Sequence, residues 1–179
     1  MVDLSGKNIA IIAVDFVEDA ELTTPRDRLR EAGATVKVYS PDGAPIQAVE
    51  GDTSPTQKID ADGSFEDIDP LAIDALVVPG GTVNADKLRV DKAAQTLARQ
   101  VIAADKPLAV ICHGPWLLVS AGLVEGRRLT SYASLSVDIT NAGGDWVDEE
   151  VVVDLNLITS RDPGDLDAFV GALENALGG

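Results

Sequence analysis

The stretch LAVICHGPWLLVSAG, residues 108–122, decides the fold that this sequence predicts. A short apolar run is followed at once by a segment in which apolar residues recur at helical spacing. The single cysteine of the chain, Cys112, and its single histidine, His113, stand at the junction. A buried strand that turns directly into a helix is typical of a parallel sheet covered by helices.

The same alternation of short apolar runs and helix-period segments fills most of the chain. It predicts an α/β fold with a mostly parallel sheet and helices on both faces, built as one domain over residues 1–179. A weaker pattern of short polar strands and turns predicts a surface hairpin at 44–69, and turn residues at 154–156 predict a second hairpin at 150–160. We predict strands at 8–16, 35–41, 74–78, 107–112 and 127–132, and helices at 23–33, 90–106, 114–124, 134–144 and 163–179.

Composition narrows the classes of partner. The chain has 179 residues and a formal net charge of −16, and such an anionic surface disfavours nucleic acid and anionic lipid. No apolar run is long enough to span a membrane, and no signal peptide is evident. With one cysteine and no disulfide, we expect a reducing cytoplasm. We expect no cofactor and no metal site, because one cysteine and one histidine fall short of common zinc ligand sets.

Ligands of parallel sheets bind beyond the carboxyl ends of the strands. That rule selects the three loops that follow Val14, Val78 and Ile111. The second of these loops carries Gly80 and Gly81, and paired glycines allow backbone amides to approach a ligand or an anion closely. A simple tight turn is the alternative interpretation of the glycine pair.

Cys112 occupies the third loop, directly before Gly114 and Pro115. A nucleophile in a strand-to-helix turn is presented by a tight, strained backbone. The amides and dipole of the following helix stabilise a thiolate, so we expect a lowered pKa for the Cys112 thiol. A buried, inert cysteine is the alternative. The position beside His113 at the end of a central strand favours the reactive thiol.

Two kinds of acid–base group accompany the thiol in the sequence. His113 is the one imidazole in the chain that could serve as a base. The loop after the first strand supplies the carboxyls of Glu18, Asp19 and Glu21, any of which could transfer protons if burial raised its pKa. Spacing alone does not choose between Glu18 and Glu21.

Six segments together resemble the PfpI family, of the Parkinson-disease-protein-7 superfamily of class I glutamine amidotransferase-like folds. The resemblance covers nearly the whole chain and implies a flavodoxin-like three-layer sandwich with Cys112 on a nucleophile elbow. The segments that carry it are FVEDAEL, ALVVPGG, AVICHGPWLLVSAG, TSY, TNAGGDWVDEEVVVD and SRDPGDL.

The resemblance also implies roles for individual residues. Glu18, rather than Glu21, would hydrogen-bond the thiol, and the amides of Gly81 and His113 would form an oxyanion hole. In related peptidases an acidic residue of a neighbouring subunit orients the histidine, and Asp86 falls at about that position. The site would then lie near the interface of a homodimer or larger homo-oligomer.

Three functions fit these residues. The first is a stress-protective cysteine enzyme that acts on reactive carbonyls, with glyoxalase or deglycase chemistry. The second is an intracellular cysteine peptidase that uses Cys112, His113 and the neighbour's Asp86. The third is a redox-responsive stress protein in which peroxide oxidises Cys112 to a sulfinic acid. We favour the carbonyl enzyme, because Asp86 is one methylene shorter than the glutamate of the peptidases, and this leaves the partner of His113 in doubt.

Overall fold

The computed structural model describes residues 2–178 and confirms the predicted alternation of strands and helices. Twelve strands and six helices are formed by these residues. The strands are β1 (Asn8–Ile12), β2 (Val17–Glu18), β3 (Thr35–Ser40), β4 (Ile46–Glu50), β5 (Ser54–Ile59), β6 (Gly63–Ser64), β7 (Ala75–Val78), β8 (Leu108–Ile111), β9 (Arg128–Leu129), β10 (Asp145–Trp146), β11 (Val151–Asp154) and β12 (Leu157–Ser160). The helices are α1 (Asp19–Glu31), α2 (Thr82–Val90), α3 (Lys92–Ala103), α4 (Pro115–Ala121), α5 (Ser136–Asn141) and α6 (Leu166–Gly178).

A seven-stranded sheet forms the centre of the protein, in the order β11-β12-β8-β7-β1-β3-β6. Its neighbouring strands pair in parallel, except for the antiparallel pair of β11 and β12. The strands β7 and β8, which precede two of the predicted ligand loops, are adjacent. Their carboxyl ends, and that of β1, therefore meet at one edge of the sheet.

The core has two layers, one on each face of this sheet. Along β1, Ile9 and Ile11 pack with Phe169 of α6, whereas Ala10 and Ile12 pack on the other face with residues of α3 and α4. All four of these β1 side chains are buried. The strands therefore contain nearly continuous apolar residues because both faces are covered, and the predicted three-layer α/β architecture is confirmed.

Both predicted hairpins are present. Strands β11 and β12 pair antiparallel around Leu155 and Asn156. Strands β4 and β5 also pair antiparallel, and β2 joins them in parallel to form a small separate sheet. The turn of the β4–β5 hairpin, residues 51–53, is hydrogen-bonded to Glu18 just before α1 and to Thr82 at the start of α2.

The helices differ from the sequence prediction at two places that affect the site. Helix α1 begins at Asp19 rather than at residue 23, and Pro25 lies inside it. A second helix, α2, begins directly after Gly81, where the sequence suggested only a loop. The early start of α1 matters for the site, because it makes Glu21 a helical residue whose side chain faces the core.

No helix among residues 2–178 has the length and apolar character that a membrane-spanning segment requires.

Candidate active site

Cys112 lies at the end of β8 in a strained turn. Its φ is +62°, in the left-handed region that few non-glycine residues adopt. Two backbone hydrogen bonds hold the turn: the Cys112 amide donates to the Ser160 carbonyl at 3.1 Å, and the Cys112 carbonyl accepts from Tyr132 at 2.8 Å. Such strain is typical of a functional residue that its surroundings hold in place. The predicted nucleophile elbow is therefore present.

The imidazole of His113 faces the thiol. Its Nδ1 lies 3.2 Å from the Cys112 sulfur. The ring stacks on Tyr132 with centroids 4.5 Å apart, and Trp116 lies edge-on to it at 5.4 Å. Burial lowers the pKa of His113. The imidazole is therefore neutral at physiological pH and is able to accept the thiol proton.

The carboxyl group beside the thiol belongs to Glu21. Its side chain has 0% exposure, and its Oε2 accepts a hydrogen bond from the Gly80 amide at 2.7 Å. Burial raises the pKa of Glu21 to about 8, and a contact with the Cys112 thiol opposes that shift. The second carboxyl oxygen, Oε1, is buried and has no hydrogen-bond partner among the described residues. Glu21 is thus protonated near neutral pH and close to the sulfur.

Glu18 does not occupy the place that the family resemblance implied. Its two carboxyl oxygens accept hydrogen bonds from the amides of Gly51 and Asp52, at 3.0 and 3.2 Å. It lies immediately before the first residue of α1, one turn away from Glu21. The expectation that Glu18 hydrogen-bonds the thiol is wrong, because the helix directs Glu21 inward and leaves Glu18 at the turn of the β4–β5 hairpin.

A signal for Glu21 was present in the sequence. The buried face of α1 includes Glu21, Pro25 and Leu29, which follow one another at intervals of four residues. Helical residues four apart share a face, so Glu21 belongs to the core-facing row. The predicted helix start at residue 23 hid this row, because residues 18–21 were then treated as a loop.

The pKa of the thiol differs from the sequence expectation. Burial raises the pKa of Cys112, and the neighbouring Glu21 carboxyl raises it further. The backbone amides of Gly81 and His113 point at the sulfur and act in the opposite direction. The expected lowering is wrong because burial of the sulfur outweighs the amides. In the resting state the site therefore contains a thiol, a protonated carboxyl and a neutral imidazole.

The two glycines of the second loop allow this close packing. A Cβ at Gly80 would lie 2.5 Å from Glu21 Oε2 and 2.6 Å from the Cys112 Cβ. Gly81 has a φ of +89°, and a Cβ there would meet the Phe16 carbonyl oxygen at 2.5 Å. Both positions thus require glycine, and the Gly81 amide is free to point at the sulfur.

Asp86 lies on α2 and is exposed. Its expected role, orienting the histidine of a neighbouring subunit, stays a prediction. Sequence reasoning missed two other residues near His113. Thr82 Oγ1 lies 3.4 Å from His113 Nε2 and also donates to Asp52 Oδ2 at 3.0 Å. No grouping of three or more His, Cys, Asp and Glu side chains suited to a metal ion occurs among residues 2–178.

Comparison with known proteins settles the family. The model of the DJ-1/PfpI family matches residues 7–175. The chain belongs to the DJ-1/PfpI family. The resemblance seen in the sequence is therefore confirmed, and with it the flavodoxin-like fold class. Among solved structures, DJ-1beta of Drosophila melanogaster is 30% identical, superposes with a TM-score of 0.86, and matches 97% of this chain and 91% of that one.

Several relatives have names that describe an activity. Deglycase PfpI of Pyrococcus furiosus is 40% identical over 90% of this chain and 94% of its own length. Protein/nucleic acid deglycase 2 of Escherichia coli is 40% identical over 92% and 94%. Two Bacillus subtilis proteins, General stress protein 18 and the provisionally named cysteine protease YraA, are 39% and 37% identical, each over 92% of this chain and 94% of that protein.

Proposed function

We propose that this protein is a cysteine enzyme of the deglycase type, which acts on small reactive carbonyls such as methylglyoxal or their adducts on amines and thiols. One observation carries the proposal: a carboxyl, an imidazole and two backbone amides converge on a single buried sulfur. These groups are Glu21, His113 Nδ1 and the amides of Gly81 and His113 around Cys112. Glu21 takes the acid–base role that the sequence assigned to Glu18.

The geometry supports a short reaction sequence. The sulfur of Cys112 attacks the aldehyde carbon while the thiol proton moves to His113 Nδ1, 3.2 Å away. The oxygen of the resulting hemithioacetal is held by the Gly81 and His113 amides as an oxyanion hole. Glu21 then moves protons between the two carbons. A carboxyl with a pKa of about 8 is suited to this step, because it both donates and accepts protons near neutral pH. The proton transfer between the carbons leaves a lactoyl thioester on Cys112. Water attacks its carbonyl carbon, the S–C bond breaks, the sulfur takes back its proton from His113, and lactate leaves, so the overall reaction is methylglyoxal plus water to lactate.

The relatives support the same class of enzyme. Proteins named deglycases align with this chain at 40% identity over about nine-tenths of its length. The sequence prediction of a stress-related cysteine enzyme with deglycase-type chemistry agrees with these names and with General stress protein 18. The predicted site at or near the interface of a homodimer or larger homo-oligomer, and the cytoplasmic location, are part of this proposal.

The imidazole contact favours a second candidate, a cysteine peptidase. A sulfur–imidazole pair at 3.2 Å is the arrangement that amide hydrolysis requires, and YraA is provisionally named a cysteine protease. Peptide cleavage would also need His113 to protonate the leaving amine. The third candidate, peroxide sensing by Cys112, gains no support from the site, since burial raises the pKa of the thiol and disfavours the thiolate that peroxide oxidises.

The test compares the wild type with Cys112→Ser on methylglyoxal, with lactate formation as the readout. We expect lactate from the wild type and a rate at the buffer level from the serine variant. Equal rates from the two proteins would reject the proposal. A fluorogenic peptide library on the same pair tests the peptidase.

A second comparison separates deglycase from glyoxalase activity. The hemithioacetal of methylglyoxal and N-acetylcysteine dissociates spontaneously. The dissociation rate is measured, without enzyme, by capturing the released methylglyoxal with a reagent that contains no thiol. A deglycase consumes the adduct faster than it dissociates, whereas an enzyme for free methylglyoxal never exceeds the dissociation rate. Only the first outcome supports action on the adduct itself.

A further inference from the structure

Beyond the groups that contact the sulfur, the imidazole has a second neighbour on its far side. Thr82 Oγ1 lies 3.4 Å from His113 Nε2. The same hydroxyl donates to Asp52 Oδ2 at 3.0 Å, and the Thr82 amide donates to Asp52 Oδ1 at 2.6 Å. Both carboxyl oxygens of Asp52 are therefore used to hold one threonine against the imidazole.

We propose that Asp52 and Thr82 are positioning residues that fix the tautomer of His113, so that its Nδ1 is unprotonated and faces the Cys112 thiol. The inference rests on the proposed function, because it concerns the base of that same reaction. It assigns the orientation of the imidazole to residues of the same chain rather than to an acid of a neighbouring subunit.

The number of protons available to Thr82 and Asp52 decides the tautomer of His113. A threonine hydroxyl has one proton, and it is given to Asp52. The oxygen of Thr82 is then left as an acceptor, so the group that faces it must be a donor. His113 Nε2 therefore carries the ring proton, and in a neutral imidazole Nδ1 is then the free acceptor. This is the nitrogen that lies 3.2 Å from the sulfur.

The structure keeps Asp52 in place for this task. It lies in the turn of the β4–β5 hairpin with a φ of +66°, a conformation that aspartate tolerates better than most residues. The amides of Gly51 and Asp52 donate to Glu18, which ties the turn to the start of α1. Glu18, expected from the sequence to act on the thiol, thus supports the loop that orients the base.

The charge of Asp52 also has a role during the reaction. When the sulfur attacks, its S–H bond breaks, an Nδ1–H bond forms, and the imidazole becomes a cation. A new S–C bond forms while the carbonyl π electrons move to the oxygen. The Asp52 carboxylate raises the pKa of His113, opposing the effect of burial, and so stabilises this cation through Thr82.

The tautomer can be measured by NMR in the absence of substrate. Because the chain contains one histidine, its signals are assigned without ambiguity. Tag-free protein labelled with 15N-histidine gives one set of two-bond 15N–1H correlations. In the wild type at pH 7.5 we expect a protonated Nε2 and a bare Nδ1. In Asp52→Asn the new amide donates to Thr82, the hydroxyl turns to donate to Nε2, and the ring proton moves to Nδ1.

Activity on methylglyoxal gives the second readout. Asp52→Asn and Thr82→Val should lower kcat by about 10- to 100-fold with KM changed less than about twofold, because the base and not the binding of substrate is affected. Thr82→Ser keeps the hydroxyl and should restore both the wild-type tautomer and kcat. Asp60→Asn, at an exposed aspartate just beyond β5, is the charge-matched control and should match the wild type.

The outcomes separate the two proposals. A wild-type Nδ1 that carries the ring proton, or a tautomer unchanged in both Asp52→Asn and Thr82→Val, would overturn the hydrogen-bonded chain even if lactate forms normally. The expected tautomers in a protein that forms no lactate would instead reject the proposed function and leave the hydrogen-bonded chain standing. Thermal unfolding of each variant shows that the fold is retained.

Discussion

Glu18 and Glu21 are three residues apart at the start of α1, and the fold gives them opposite surroundings. Glu21 is fully buried beneath Gly80 and against the thiol. Glu18 is half-buried and binds two amides of a hairpin turn. The side chains are chemically identical, so the difference comes from the helix alone. One turn separates a carboxyl that reacts from a carboxyl that holds a loop.

The largest expected effect is on catalysis. Glu21→Gln keeps the size of the side chain and an acceptor for the Gly80 amide but removes the proton-transferring group. We expect lactate formation from methylglyoxal to fall by about 100-fold or more, the range in which general acid–base groups contribute.

Glu18→Gln is the matched control for this comparison. A glutamine oxygen still accepts from the hairpin amides, so the rate should fall by no more than about threefold. A large loss in Glu18→Gln together with an active Glu21→Gln would show that Glu18, and not Glu21, is the acid–base group of the site.

The next effect is on stability and has a defined pH range. Burial raises the pKa of Glu21 from 4.5 to about 8, so its contribution to folding is complete below pH 4.5 and is lost as the pH rises through 8. At pH 7 the Glu21 carboxyl is ionised in the unfolded state but protonated in the native state. This difference lowers the free energy of unfolding by on the order of 3 kcal/mol relative to its value below pH 4.5. Glu21→Gln has no such proton and should lose this pH dependence.

Urea unfolding between pH 5 and pH 8.5 measures the difference. The free energy of unfolding of the wild type should fall across this range relative to that of Glu21→Gln, whereas Glu18→Gln should follow the wild type. Parallel curves for the wild type and Glu21→Gln would mean that burial does not hold the Glu21 carboxyl in its protonated form. A more stable but inactive Glu21→Gln is the expected result, since functional groups often cost stability.

The comparison also shows what sequence could predict. Apart from α2, the main order of strands and helices followed from apolar periodicity, and the loop rule for parallel sheets led directly to Cys112 and Gly81. These are local patterns or consequences of one topological rule. The choice between Glu18 and Glu21 required the first residue of α1, and helix boundaries are the least certain part of any periodicity argument.

Other features were beyond the sequence because they depend on contacts between distant segments. The pKa of Cys112 follows from how deeply the sulfur is buried, and the spacing of residues in the sequence does not indicate that depth. Asp52 and Thr82 are 30 residues apart, and the hairpin turn meets α2 only in the folded protein. In a chain with 30 acidic residues, Asp52 had nothing local to distinguish it.

The smallest expected effect concerns the turn that Glu18 holds. Glu18→Ala leaves the amides of Gly51 and Asp52 without their acceptor, but the turn is near solvent, so water replaces the lost bonds and the cost should be about 1 kcal/mol. Hydrogen exchange of these two amides should become faster, whereas exchange in β8 should stay unchanged. Because Asp52 is attached to this turn, kcat should fall modestly in Glu18→Ala and return in Glu18→Gln. Unchanged exchange at both amides would show that the turn is held by the β4–β5 pairing itself and that Glu18 does not stabilise it.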